Sequence, residues 1–147
     1  MEASRQGHRL FQVGVALLLL AALIGLAVPH FTVPRLGLSA HLLGILQGIL
    51  LLVIGLLWSR LRLGPTQSRI AFLLLVYQSI AAPFSNLLAG VWGAGSSIIP
   101  MAASGARGSP MQELVVSAGL RSAGAALIVG LLLVAWGLRG CGPQRPD

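Results

Sequence analysis

Four long apolar runs, separated by short polar breaks, set the pattern of this chain. The first is Leu10 to Val28, closed by Pro29, and the second is Ala40 to Trp58, closed by Ser59-Arg60. The third runs from Ile70 to about Trp92 with Pro83 inside it, and the fourth from about Leu114 to Trp136, closed by Gly137 and Arg139. Each run is close to the roughly 20 residues that a helix needs to cross a bilayer core of about 30 Å. Hydrocarbon offers no partner to a bare N–H or C=O, so helices are the spans such runs can form. The pattern predicts an all-α integral membrane four-helix bundle: one membrane domain over 1–147, with helices at about 10–28, 40–58, 70–92 and 113–137.

Composition agrees, since 56% of residues are hydrophobic and only 9% charged, with a mean hydropathy of +0.88. A water-facing surface needs roughly 25% charged residues, so lipid has to be the main solvent. The single cysteine, Cys141, excludes an internal disulfide framework.

The net charge of +7 comes from ten basic residues that are all arginine and fall almost entirely between the apolar runs. A nucleic-acid surface would gather them on one soluble face, so no nucleic-acid partner is expected. Arg5, Arg9, Arg60, Arg62, Arg69, Arg139 and Arg145 fall on one side of the four spans, against Arg35 and Arg107 on the other. The positive-inside rule then places both termini in the cytoplasm and makes the chain a multi-pass protein. Trp58, Trp92 and Trp136 stand at helix ends, as an aromatic belt would place them. The first run, at 19 residues, exceeds the apolar core of about 7–15 residues of a signal peptide, and it reads as a retained helix. The loop Gly93 to Pro110, rich in Gly, Ser and Ala, either folds over the outer mouth of the bundle or is mobile.

Candidate chemistry concentrates on the second and third helices. His41 shares a face with Gly44, Gly48 and Gly55 at about 100° per residue. That face is either a close helix-packing seam or a bed for a flat ligand with His41 as its polar contact. Gln47, a third of a turn away, either bonds another helix or points into a cavity. The third helix carries Tyr77, Gln78, Ser79, Ser85 and Asn86, with Pro83 freeing one backbone carbonyl. Polar groups at this depth face the protein interior, as interhelix hydrogen bonds or as a substrate pocket. Arg121 either reaches the outer interface, pairs with Glu113, or meets an anion. The chain has no lysine, no Cys/His metal cluster and only Glu2, Glu113 and Asp147 as carboxylates. Phosphate loops and paired-carboxylate catalysis are thereby excluded, and the lack of an intramembrane acid argues against proton-coupled transport.

The string Phe31-Thr-Val-Pro-Arg-Leu-Gly-Leu-Ser-Ala-His41, continuing to Gly48, resembles the hydroxylaminobenzene mutase family, small four-helix membrane proteins of bacteria. That family is similar to the styrene oxide isomerases, whose second helix carries Ala-His and an amide six residues on. The resemblance is clearest over Val28 to Leu63 and extends loosely through Ser85-Asn86 to the Trp-Gly-Leu-Arg end of the fourth helix. It implies a bacterial plasma-membrane isomerase acting on a small aromatic substrate: hydroxylaminobenzene to 2-aminophenol, or alternatively an aryl epoxide to an aldehyde. It further implies a homo-oligomer, a trimer in the related isomerases, with haem b held by His41 as metal ligand. Gly44 and Gly48 would then bed the cofactor, and Gln47 and Asn86 would orient the substrate oxygen. Two departures stand out. The acid and the tyrosine of the isomerase pattern fall at Ala82 and Gly90 here, which favours the hydroxylamine rearrangement. Competing readings are a non-enzymatic accessory protein packed through the glycines, and a small transporter.

Overall fold

The computed structural model describes residues 2–139 and, among them, consists of helices and their connections with no strand. Cys141, Arg145 and Asp147 lie outside the described residues. Helix α1 spans Glu2–Ala27, α2 Pro34–Leu57, α3 Pro65–Trp92, α4 Pro100–Ala103 and α5 Pro110–Leu138. Short 3-10 turns at Val28–His30 and Trp58–Arg60 follow α1 and α2. The long helices α1, α2, α3 and α5 are each long and apolar enough to cross a membrane.

The helix starts differ from the expected ones for a simple reason. Helices α2 through α5 each open on a proline, whose missing N–H costs nothing in a first turn. In α2, α3 and α5 those turns carry Arg35, Thr66-Gln67-Ser68 and Gln112-Glu113, and so lie ahead of the apolar runs. Helix α1 likewise continues to Glu2, well before the apolar run at Leu10. Gly93 ends α3 in a left-handed conformation, φ +65°, with its N–H donated to the Ala89 carbonyl.

The polarity of the bundle is that of a membrane protein. Leu19, Leu23, Leu46, Leu56 and Leu132 point outward, whereas Gln47, Gln78, Ser79, Ser85, Asn86 and Ser117 are buried. Helices α1 and α2 pair along an antiparallel glycine ladder. A Cβ on Gly48 would lie 2.9 Å from the Gly14 carbonyl oxygen, and one on Gly55 would lie 3.1 Å from that of Gly7. No side chain fits where two backbones approach this closely. The second hairpin is α3 with α5, and the α2–α3 contact joins the two. One core cluster, containing Leu10, Leu51, Trp58, Leu75 and Val134, draws on all four long helices.

Trp58 departs from the belt expected for it. It is 2% exposed, stacks edge-on against Phe72 with ring centroids 6.3 Å apart, and donates its Nε1–H to Gln6 Oε1 at 3.1 Å. The indole is drawn inward because Gly7 opposite leaves room for it. Trp136 is outward and carries the Arg139 guanidinium 4.8 Å above its ring.

The loop between α3 and α5 is folded over the opposite end of the bundle, where α3 ends and α5 begins. Glu113 Oε1 accepts the N–H groups of Gly95 (2.9 Å), Ser96 (3.3 Å) and Gly108 (3.1 Å) and the Ser96 hydroxyl (3.2 Å). Its Oε2 accepts the Ser97 N–H (3.2 Å) and hydroxyl (2.9 Å). This carboxylate is occupied by the loop, so it does not pair with Arg121, which is exposed. Ala94 joins Val33, Leu36, Ala89 and Val116 in a second core cluster beneath, and Arg35 Nη1 donates to Ser104 Oγ at 3.3 Å. Glu113→Ala leaves several of these donors without an acceptor, a cost of about 2–3 kcal/mol. The expected result is a lower melting temperature and faster proteolysis within 93–109, read on purified protein. Glu113→Gln, which keeps one acceptor oxygen, falls between wild type and Glu113→Ala.

Candidate functional site

The start of α2 is pinned before it reaches His41. Thr32 Oγ1 donates to the Val91 carbonyl at 2.8 Å, and Val33 N donates to the Gly90 carbonyl at 3.2 Å. Gly90 also sits where α3 crosses α2, since a Cβ there would lie 3.0 Å from the Gly37 nitrogen.

His41 lies two turns into α2, half-buried, on the side turned to α1. Its Nδ1 is 2.7 Å from the Ala21 carbonyl oxygen. A carbonyl only accepts, so Nδ1 carries the proton and donates. Nε2 is thereby left with its lone pair, and it has no hydrogen-bond partner among the described residues. An imidazole fixed through one nitrogen and open at the other is the arrangement of a metal-binding histidine with its orienting partner in place. The ring fits against α1 because residue 25 is glycine: a Cβ there would lie 2.7 Å from both Nδ1 and Cε1.

Of the two readings of the α2 glycines, the structure shows the close packing seam. A Cβ on Gly44 would lie 2.9 Å from the Ala21 Cβ, and one on Gly48 would lie 2.8 Å from Leu18 Cγ. Helix α1 therefore occupies this face, and no flat ligand lies on Gly44 and Gly48. The packing-seam alternative is the one the structure shows. Beside the seam is a crevice of about 50 Å³, lined by Leu17, Leu20, Ile24, Ile80, Phe84 and their neighbours, with no polar side chain. It shares Ala21 with the His41 hydrogen bond and Gly44 with the seam.

Gln47 and Asn86 belong to the α2–α3 seam instead. Gln47 Oε1 accepts from Gln78 Nε2 at 3.0 Å and, at 3.5 Å, from Ser79 Oγ. Asn86 Oδ1 accepts from Ser39 Oγ at 3.4 Å, and its Nδ2 donates to the Ala82 carbonyl at 3.2 Å. Ser39 and Gln47 are eight residues apart on α2, a rise of about 12 Å, so the two amides tie the helices together at separate heights. His41 and Gln47 are six residues apart and face about 120° away from each other. The structure thus does not gather His41, Gln47 and Asn86 around one point; each amide oxygen accepts across the α2–α3 seam, and Asn86 Nδ2 donates within α3. Gln78 Oε1 is buried without a partner among the described residues. Tyr77 turns the other way, its hydroxyl 2.7 Å from Ser122 Oγ.

Among the described residues no three His, Cys, Asp or Glu side chains converge as a metal cage. A lone imidazole with a free Nε2 suits a metal that brings its other ligands with it, as the iron of haem does. His41 fits that group; the glycine face does not.

Gly25 and Ala21 were not evident as site residues from the composition of α1, yet a signal existed. Gly7, Gly14 and Gly25 fall on one stripe at about 100° per residue, matching the glycine stripe of α2.

Comparison with known proteins gives the family of the chain. The sequence model of the styrene oxide isomerase family matches residues 6–139. The chain is 42% identical to hydroxylaminobenzene mutase HabB of Ectopseudomonas oleovorans, over 94% of this chain and 84% of that one. It is 41% identical to hydroxylaminobenzene mutase HabA of the same organism, over 74% of this chain and 80% of that one. No solved structure matches. The family's match extends over nearly the whole four-helix unit, and with it the chain belongs to the styrene oxide isomerase family and is an isomerase.

Proposed function

We propose that this protein rearranges hydroxylaminobenzene to 2-aminophenol inside the membrane, with His41 as the residue that would hold haem b. The observation that carries this reading is the His41 imidazole: fixed by Nδ1–H to the Ala21 carbonyl, open at Nε2, and next to an apolar crevice. The reaction breaks the N–O bond, forms a C–O bond at the neighbouring ring carbon and moves the displaced ring proton to nitrogen. Atoms and electrons balance within one molecule, so neither oxidant nor reductant is consumed.

Bound at Nε2 of His41, haem b supplies a Lewis-acidic iron, chemistry that needs no net redox change. The chain's own contributions are positional. The Ala21 carbonyl accepts from Nδ1 and orients the ring, which leaves Nε2 as the nitrogen open to a ligand. Leu17, Leu20, Ile24, Ile80 and Phe84 offer an aromatic ring a dry wall, and they disfavour capture of a ring cation by bulk water. Gln47 and Asn86 act by holding α3 against α2, which sets the width of that crevice.

The hydroxylamine is favoured over an aryl epoxide by position 90. A tyrosine at the place of Gly90 would have to force α3 away from the Gly37 backbone, 3.0 Å from the Cβ position. Ala82 is buried and its carbonyl already accepts from Asn86. Neither position offers the acid or phenol of the isomerase pattern. The proposal includes a homo-oligomer, with a trimer as the assembly. The resemblance to the styrene oxide isomerases is what supports that assembly. It also includes a bacterial plasma membrane with both termini cytoplasmic, supported by the arginine distribution.

Turnover in water enriched in oxygen-18 tests the rearrangement. Haem-supplied protein given hydroxylaminobenzene is expected to yield 2-aminophenol without label, since the oxygen never leaves the pocket. Labelled product, or a 4-aminophenol product, would mean capture by solvent and would overturn the intramolecular route. Aryl epoxide offered in parallel is expected to remain unchanged.

A further inference from the structure

At the arginine-rich end, α1 and α3 stand apart and leave a groove of about 590 Å³. Arg5 and Arg9, one turn apart on α1, line it from one side, and Arg69 near the start of α3 lines it from the other. Among the residues whose side chains are described, 5–139, no carboxylate lines the groove, and none of the three guanidiniums has an ion pair or hydrogen bond there. The floor is rigid, because Gln6 Oε1 accepts both the Trp58 Nε1–H at 3.1 Å and the Ser68 hydroxyl at 2.7 Å. Along α3, Phe72 and Leu73 continue the same groove one turn deeper, toward hydrocarbon.

Three like charges around one cavity repel one another unless an anion sits among them. Topology alone needs arginines on this side, but not arginines that converge. Arg139 shows the difference, for it stacks on Trp136 and lines no such groove. Guanidinium pairs suit phosphate oxygens by their fork geometry, and an apolar wall directly below suits an acyl chain. A free phosphate would use only the upper part of this site, whereas a phospholipid would use all of it.

We propose that the groove between α1 and α3 is a binding site for an anionic phospholipid, with Arg5, Arg9 and Arg69 on its phosphate and Phe72 and Leu73 along its chain. The site is separate from the His41 crevice and does not depend on the reaction proposed there.

The test uses the full chain in nanodiscs of phosphatidylcholine, to which phosphatidylglycerol is added. Wild type is expected to melt higher as phosphatidylglycerol rises and to keep one such lipid through native mass spectrometry. Arg5→Gln with Arg9→Gln and Arg69→Gln should weaken retention roughly a hundredfold, at about 1 kcal/mol for each arginine. Arg62→Gln with Arg139→Gln, likewise exposed but outside the groove, should retain the lipid. Arg69→Gln alone touches no buried group and should already give a severalfold loss, which covers the case of a triple variant that does not fold. Equal loss in the groove and control variants would show diffuse charge only and overturn the site. Reproduction of the melting shift by inorganic phosphate without phosphatidylglycerol would make it a free-phosphate site and overturn the lipid assignment.

Discussion

Replacing His41 with alanine is expected to remove the Soret absorption of haem-supplied protein and the rearrangement of hydroxylaminobenzene together, while the helices stay folded. The side chain is half-buried, and its one hydrogen bond to another helix is the 2.7 Å donation to Ala21. Its loss costs about 1 kcal/mol of stability, whereas the α1–α2 pair is held by the glycine ladder and by the core around Leu10 and Leu51. A Lewis-acid contribution of several kcal/mol corresponds to a fall in turnover of about a thousandfold or more. Visible absorption, circular dichroism and product formation on one preparation decide it. Full turnover in His41→Ala would sink the assignment. Loss of turnover with an unchanged Soret band would move the cofactor ligand elsewhere on the chain.

Gly25→Ala is expected to have the next largest effect, and for a reason that helix propensity would get backwards. Alanine in the middle of a helix is favoured over glycine by about 1 kcal/mol, so α1 itself should not suffer. The added methyl, however, lies 2.7 Å from Nδ1 and Cε1 of His41, far inside van der Waals contact. The imidazole must swing outward, and the bond to the Ala21 carbonyl breaks. Removing the partner that orients a metal-binding histidine costs about 10–100-fold in affinity or activity. Nitrogen-15 spectra of the haem-free protein give a readout independent of turnover. Wild type should show His41 protonated at Nδ1, and Gly25→Ala should show a tautomer mixture. A variant that keeps the wild-type spectrum would remove Gly25 as a positioning residue even if activity fell.

The four spans were legible because hydrocarbon leaves little choice: runs such as Leu10 to Val28 have no other stable home. Their starts were not, because Pro34-Arg35 and Pro65 to Ser68 are polar turns that belong to the helix without belonging to the apolar run. Periodicity also said which side of α2 the glycines occupy, but not what lies against them. That depended on Gly7, Gly14 and Ala21 arriving from α1. Trp58 shows the same limit, since its place at the end of a run resembles a membrane belt and only Gly7 and Gln6 opposite explain its burial. His41 was legible as a candidate by its resemblance. The atom that orients it was not, because a backbone carbonyl has no signature in the sequence. For Gln47 and Asn86 the polarity was readable and the partner was not, and both proved to bridge helices.

The polar seam between α2 and α3 has a further bearing on how the protein is made. The α1–α2 hairpin closes through its own glycine ladder and the α3–α5 hairpin through its own contacts, so each half can leave the insertion machinery already paired. What neither half can do alone is give the Gln47 and Asn86 oxygens their cross-helix donors, Gln78 Nε2 and Ser39 Oγ. An amide without a partner in hydrocarbon is costly, even though each finished interhelix bond is worth only about 0.6 kcal/mol. Only when the hairpins dock do these oxygens find their donors, and only then does the crevice beside His41, lined from α1, α2 and α3, have all its walls.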